Sequence, residues 1–202
     1  MIENPSEKDE IYLSNVAKIG NSVENIQYIE DVLPKDEHEI LLRYAKNAES
    51  WAKQPWEAQT IESQNLPTEI LDILSKAFKI VYKKSTDLYD VAINPHREPR
   101  IHIVKFVKGF HLVPHIDTLS SEINHIASVY YINDDYAGGE IYFPDHGLEI
   151  KPKPNSLIIF PGNENYLHGV REIIDNDRYS SAMWFQFTGS TFNKQGEWYN
   201  KI

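Results

Sequence analysis

The chain has 202 residues, no cysteine and a formal net charge of −10 at pH 7. The missing thiols exclude disulfides, thiolate metal sites and cysteine nucleophiles, and fit a reducing compartment. An acidic surface repels phosphate, so neither nucleic acid nor an anionic membrane is an expected partner.

No stretch of about 18 apolar residues is present to span a bilayer. The start, Met1 to Pro5, lacks the basic and apolar regions of a secretory signal, so a cytoplasmic location is expected. The length suits a single domain over 1–202. Within it, 1–99 holds an N-terminal strand and supporting helices, 100–189 the core and 190–202 a tail.

Residues 1 to about 25 are polar and read as an irregular lead-in. The alternation in Asn25 to Ile29 predicts a strand. A helix follows over Asp36 to about Glu49, with Asp36 as N-cap and Ile40, Leu41, Tyr44, Ala45 and Ala48 on one face. Trp51 to Gln64 reads as a loop with short extended pieces. A longer helix runs from Pro67-Thr68 to about Asp87, its apolar stripe made of Ile70, Leu71, Leu74, Ala77, Phe78 and Val81. Both stripes are expected to pack on a sheet.

Two prolines within Asn94 to Pro99 end any regular element. Beyond them short strands recur: Arg100–Val107, Leu112–Ile116, His125–Ile132, Glu140–Phe143, Gly147–Ile150, Ser156–Phe160, Gly169–Ile173 and Ser180–Thr188. Turn chemistry such as Lys108-Gly109, Gly138-Gly139 and Pro144-Asp145 separates them. Many short strands in succession predict a sandwich or barrel, with the helices packed outside it. Thr191 to Ile202 carries no clear pattern.

Chemistry concentrates at His115-x-Asp117. On a strand these two side chains share a face, and His168 from a distant strand completes two imidazoles and one carboxylate. That set binds one face of Fe(II) and leaves positions free for a chelating 2-oxoacid and dioxygen. A structural zinc site would instead be closed by four protein ligands. With eight histidines and 30 acidic residues, roughly one such spacing arises by chance, and His96-x-Glu98 is a second instance. It lies between two prolines, where no strand holds both side chains on one face.

The alternative for His115 and Asp117 is a surface hydrogen-bonded pair. Their company favours the metal: the turn Gly138-Gly139-Glu140, the buried strand Ser156 to Phe160, and His168 at the mouth of the next strand. Arg178 reads either as a solvated strand-start residue or as a planar fork binding a carboxylate deep in a barrel. The histidine ten residues upstream favours the fork, with Ser180 on the same face. His111 shares the parity of His115 but sits among Gly109 and Pro114, a second-rank candidate. His102 and His125 read as ordinary strand histidines.

These residues resemble the 2-oxoglutarate- and Fe(II)-dependent dioxygenases, in their prolyl 4-hydroxylase-like branch. The resemblance runs from Ile101 to Phe187 through His115-x-Asp117, Gly138-Gly139-Glu140, His168, and Arg178-Tyr179-Ser180 followed by Trp184-Phe185. It implies a double-stranded β-helix (jelly-roll) core, Fe(II) held by His115, Asp117 and His168, and 2-oxoglutarate anchored by Arg178. It also implies Tyr131 on the same carboxylate, Trp184 in the lining near the metal, and ascorbate as a candidate reductant.

Two departures stand out: Phe106 and Leu112 occupy positions where many relatives have tyrosine. The implied reaction couples decarboxylation of 2-oxoglutarate, to succinate and CO2, to hydroxylation of a C–H bond. The leading substrate is a prolyl residue of a peptide or protein. Alternatives are a free amino acid or other small molecule, or a non-catalytic jelly-roll that only binds.

Overall fold

The computed structural model describes residues 21–89, 101–117 and 126–185. The tail and the segment carrying His96, Glu98 and the proline break lie outside them, as do His125 and residues 118–124.

Thirteen strands and two α-helices are described. In chain order they are β1 (Gln27–Ile29), α1 (Lys35–Asn47), β2 (Ala52–Lys53), β3 (Gln59–Glu62), α2 (Thr68–Tyr89), β4 (His102–Phe106), β5 (Leu112–His115) and β6 (Ile126–Tyr131). Then come β7 (Ala137–Gly138), β8 (Ile141–Phe143), β9 (Leu148–Ile150), β10 (Ser156–Pro161), β11 (His168–Val170), β12 (Ile173–Asp175) and β13 (Arg178–Phe185). A seven-stranded sheet runs β1-β10-β6-β13-β4-β3-β2 and a four-stranded sheet β5-β11-β8-β9, with β12 and β7 paired separately. The strand pairs are antiparallel throughout.

The central strands of the seven-stranded sheet, β10, β6, β13 and β4, are buried on both faces, and their side chains alternate between them. On β13, Tyr179, Met183 and Phe185 join Leu41, Leu74, Phe78 and Val81 of the helices in one core cluster. The opposite face meets the smaller sheet: Ala127, Ile158 and Phe160 pack with Ile141 and Phe143, the two phenylalanine rings edge-on at 5.1 Å. This is the expected jelly-roll arrangement with helices outside.

Local differences from the sequence reading have simple causes. Helix α1 starts at Lys35 behind Pro34 as N-cap, and no side chain caps it. Asp36 therefore sits inside the first turn, where its charge still favours the helix dipole. The short extended pieces expected within Trp51 to Gln64 are β2 and β3, and they pair as a hairpin that extends the large sheet at β4. The single strand expected over 169–173 divides into β11 and β12, which join different sheets. At the Gly138-Gly139 turn both residues have positive φ, and a Cβ on Gly138 would lie 1.9 Å from the Glu172 carbonyl oxygen. Only glycine fits there.

Candidate metal and co-substrate site

β5 and β11 pair so that His115 and His168 are direct cross-strand partners. Their rings lie 4.5 Å apart, centroid to centroid. On a strand the HxD spacing would put both side chains on one face; β5 ends at His115, one residue before the expected Ile116, and Asp117 occupies the bend beyond it. The carboxylate converges all the same: Oδ1 is 3.8 Å from His115 Nε2 and Oδ2 is 3.7 Å from His168 Nε2.

One ligand atom from each of the three residues falls within 4.8 Å of the others, close enough to share one ion. Among the described residues no fourth histidine, aspartate or glutamate joins this group. The donor set is therefore that of an open site rather than a closed structural one.

Both imidazoles are oriented from behind. His115 Nδ1 meets the Val113 carbonyl at 2.9 Å and His168 Nδ1 meets the Tyr166 carbonyl at 3.1 Å. A carbonyl only accepts, so each Nδ1 carries the proton and each Nε2 turns its lone pair inward. Burial pushes the His168 pKa below its ordinary value, and neighbouring His115 pushes the same way, against Asp117 and the Tyr166 carbonyl. The neutral form that a metal requires is thus the resting form at neutral pH. Next to His168, Gly169 admits the ring of Tyr142 and the Leu112 carbonyl into the space a Cβ would fill.

The three residues open into a cavity of about 460 Å³ between the sheets. The alternating positions His102, Val104 and Phe106 of β4, and Arg178, Ser180, Ala182 and Trp184 of β13, line its other wall. Arg178 is 2% exposed. Its Nη1 donates to the Gly139 carbonyl at 3.4 Å, and its Nε has no partner among the described residues. Tyr131 lies fully buried with its ring 4.9 Å from the guanidinium carbon, and its hydroxyl likewise lacks a partner among them.

Burial drives the Tyr131 pKa upward, against the pull of Arg178, so this hydroxyl is a proton donor. A buried cation and a buried hydroxyl with donors to spare fit a carboxylate ligand. Arg178 lines the same cavity as the metal-type triad, and Tyr131 lies behind it against the guanidinium.

The other candidates that the sequence offers fall in different places. His111 is exposed and outside the triad. Trp184 and Ser180 line the cavity. Phe106 and Leu112, which the motifs mark only as departures, are both in its wall. His102, whose sequence context is that of an ordinary strand histidine, also faces the cavity, with its ring stacked on Trp184 at 5.7 Å and 13°. Sequence reasoning misses Trp56, in the β2–β3 hairpin. It is 44% exposed at the cavity rim, and its one sequence signal is a lone large aromatic in a polar stretch.

The sequence model of the 2OG-Fe(II) oxygenase superfamily matches residues 101–186. No curated protein matches the chain by sequence. Among solved structures, the chain is similar to a Pseudomonas putida prolyl-4-hydroxylase at 15% identity and TM-score 0.67, covering 87% of this chain and 97% of that one. It is similar to a viral collagen prolyl hydroxylase from Paramecium Bursaria Chlorella virus-1 in complex with 2OG, at 15% identity and TM-score 0.62, covering 80% and 95%. A Trichoplax adhaerens prolyl hydroxylase, in complex with a peptide fragment of the hypoxia inducible factor oxygen degradation domain, has 14% identity and TM-score 0.65, with 89% and 90% covered. At these identities the structural likeness shows a shared double-stranded β-helix fold. Residues 101–186 carry the pattern of the 2OG-Fe(II) oxygenase superfamily, and the resemblance read from the motifs holds at that level.

Proposed function

We propose that this chain is a 2-oxoglutarate- and Fe(II)-dependent hydroxylase acting on a residue held within a peptide or protein, with a prolyl residue as the leading target. The observation that carries the reading is the pairing, in one cavity, of an open two-histidine, one-carboxylate group with a buried arginine that lacks a counter-charge among the described residues.

In this reading His115, Asp117 and His168 hold Fe(II), which when bound supplies the oxygen activation that amino-acid side chains cannot. Arg178 grips the far carboxylate of 2-oxoglutarate, with Ser180 and Tyr131 adding hydroxyl donors. Backbone carbonyls fix the tautomer of both imidazoles and aim their Nε2 atoms inward. The apolar walls, Val104, Leu112, Val129, Ile141, Val170 and Ala182 among them, keep water from the reacting carbon.

The cavity also bears on the substrate. A free amino acid brings an ammonium and a carboxylate that both need partners when buried. Among the described lining residues Arg178 is the one guanidinium, and Asp117 the one carboxylate. Once those serve the co-substrate and the metal, no charged group remains among them for a zwitterion. An uncharged residue inside a chain, its ring against Trp184, meets no such cost. The names of the similar solved structures point the same way.

The test is incubation with Fe(II), 2-oxoglutarate, ascorbate and a proline-containing peptide library, followed by succinate assay and mass spectrometry. Succinate production and the gain of one oxygen on proline are expected, and both should vanish in Asp117→Ala. Succinate with oxygen gained elsewhere would keep the chemistry and replace the target. No oxoglutarate binding by calorimetry and no succinate would defeat the reading and leave a non-catalytic jelly-roll.

A further inference from the structure

We infer that Phe106 is a positioning residue for the anchor cation: with Tyr131 it forms an aromatic clamp that fixes the Arg178 guanidinium and leaves its hydrogen-bonding edge free for a dicarboxylate. This rests on the oxoglutarate reading and adds how selectivity for that diacid arises.

The register places Phe106 directly opposite Arg178 across β4 and β13, and Tyr131 opposite Ser180 across β6 and β13. Because β13 lies between β4 and β6, the guanidinium has one ring from each neighbouring strand. Its central carbon is 5.0 Å from the Phe106 centroid and 4.9 Å from that of Tyr131. Phe106 is itself fixed: it stacks on Phe110 at 4.0 Å and meets the edge of Trp56 at 6.0 Å.

A cation this deeply buried needs compensation. Structural arginines obtain it from carboxylates that occupy their N–H groups. Ring faces attract a guanidinium without accepting its N–H bonds. An acid at position 106 would stabilise Arg178 and consume the fork that the ligand needs. A flexible aliphatic residue would leave the fork free and let it swing. The two rings stabilise the charge, set its plane and fix how far it stands from the metal group, which determines the length of diacid that bridges them.

The experiment replaces Phe106 by pentafluorophenylalanine, nearly the same shape with its ring electrostatics reversed, and by leucine and tyrosine. Mn(II)-loaded full-length protein is titrated anaerobically with 2-oxoglutarate and with 2-oxoadipate, one methylene longer. Wild type should favour 2-oxoglutarate. The fluorinated protein and Phe106→Leu should bind it roughly five- to thirty-fold more weakly and lose much of the preference over 2-oxoadipate. Phe106→Tyr should retain both, and Mn(II) affinity should be unchanged in all.

The fluorinated variant keeps the test open if Phe106→Leu fails to fold. Wild-type binding matched by the fluorinated protein, in affinity and preference, overturns the clamp alone. Wild type that binds neither diacid overturns the clamp and the oxoglutarate reading together.

Discussion

The two faces of the seven-stranded sheet treat the sheet's own large buried polar side chains differently. On the helix side the polar groups of the sheet and its connections are satisfied, although Ser85 Oγ and Glu37 Oε2 of the helices themselves have no hydrogen-bond partner among the described residues. Tyr130 Oη donates to Asn155 Oδ1 at 2.9 Å and lies 2.7 Å from His38 Nδ1. Asn155 exchanges two further bonds with the Leu33 backbone, both 2.9 Å, and Ser181 Oγ donates to the His102 carbonyl. On the cavity side, one residue along the same strands, Arg178 Nε and Tyr131 Oη have no partner among the described residues. A satisfied network fixes a unique fold, and an unsatisfied buried group costs stability unless something outside the chain completes it. The helix face is built to hold the sheet and the cavity face to hold a ligand.

If that contrast is right, mutations on the two faces should separate stability from binding. The largest effect is expected for Arg178→Met. Losing the partner of a buried carboxylate should weaken 2-oxoglutarate by about 2–5 kcal/mol, read by calorimetry with metal binding retained. Stability without ligand should be unchanged or should rise, because a buried charge held by ring faces and one long carbonyl contact, with no carboxylate among the described residues, has been replaced by apolar volume. A clear fall in the urea midpoint, with oxoglutarate affinity intact, would make Arg178 a structural residue and erase the contrast.

Asn155→Ala is the converse. It leaves Tyr130 Oη with His38 as its one remaining partner, strands both backbone groups of Leu33, and places alanine at a φ of 57°. A loss of about 2–3 kcal/mol in denaturant unfolding is expected, with oxoglutarate affinity of the folded fraction unchanged. A Gly169→Ala substitution probes the four-stranded sheet on the far side of the cavity. Its Cβ would stand 2.6 Å from Tyr142 Cζ and 2.7 Å from the Leu112 carbonyl, so β5 must move away from β11. The expected cost is about 1–2 kcal/mol, together with a severalfold weaker Mn(II) affinity, because His115 and His168 sit on those two strands. Weaker folding with unaltered metal affinity would show that the triad tolerates the shift.

The amino-acid pattern carries the parts of this contrast that depend on periodicity. The stripe Ile70, Leu74, Ala77, Phe78, Val81 marks α2 and its buried face. The alternation through Arg178, Ser180, Ala182 and Trp184 marks the cavity side of β13. His115, Asp117, His168 and Arg178 are legible because their residue types are costly to bury without a purpose.

The features that escape a sequence reading depend on contacts between distant segments. That β5 stops before Asp117 depends on chain geometry beyond the HxD spacing. The β2–β3 hairpin owes its existence to pairing with β4, and nothing in Gln54 to Gln59 signals it locally. His102 reads as a plain strand residue because its stacking on Trp184 requires β4 and β13 to be neighbours. Phe106 looks like a missing hydroxyl until its ring can be placed over Arg178.

The smallest expected effect is a pH dependence on the satisfied face. Burial holds the His38 pKa below its ordinary value, with Glu39 pulling weakly the other way. The unfolded chain therefore takes up a proton near pH 6.5 that the folded protein resists. Wherever the unfolded state binds more protons, stability rises with pH. The His38 contribution should be fully present above about pH 6.5 and decline as the pH falls below it. His168 is shifted in the same direction on the cavity face, so the two must be separated by mutation. Urea midpoints measured between pH 7.5 and 5 should fall less steeply in His38→Gln than in wild type. Leaving metal out throughout keeps the His168 share the same in both proteins, so the difference between them isolates the His38 share. Identical slopes in the two proteins would mean that water reaches His38 and that the helix face is less completely sealed than its hydrogen bonds imply.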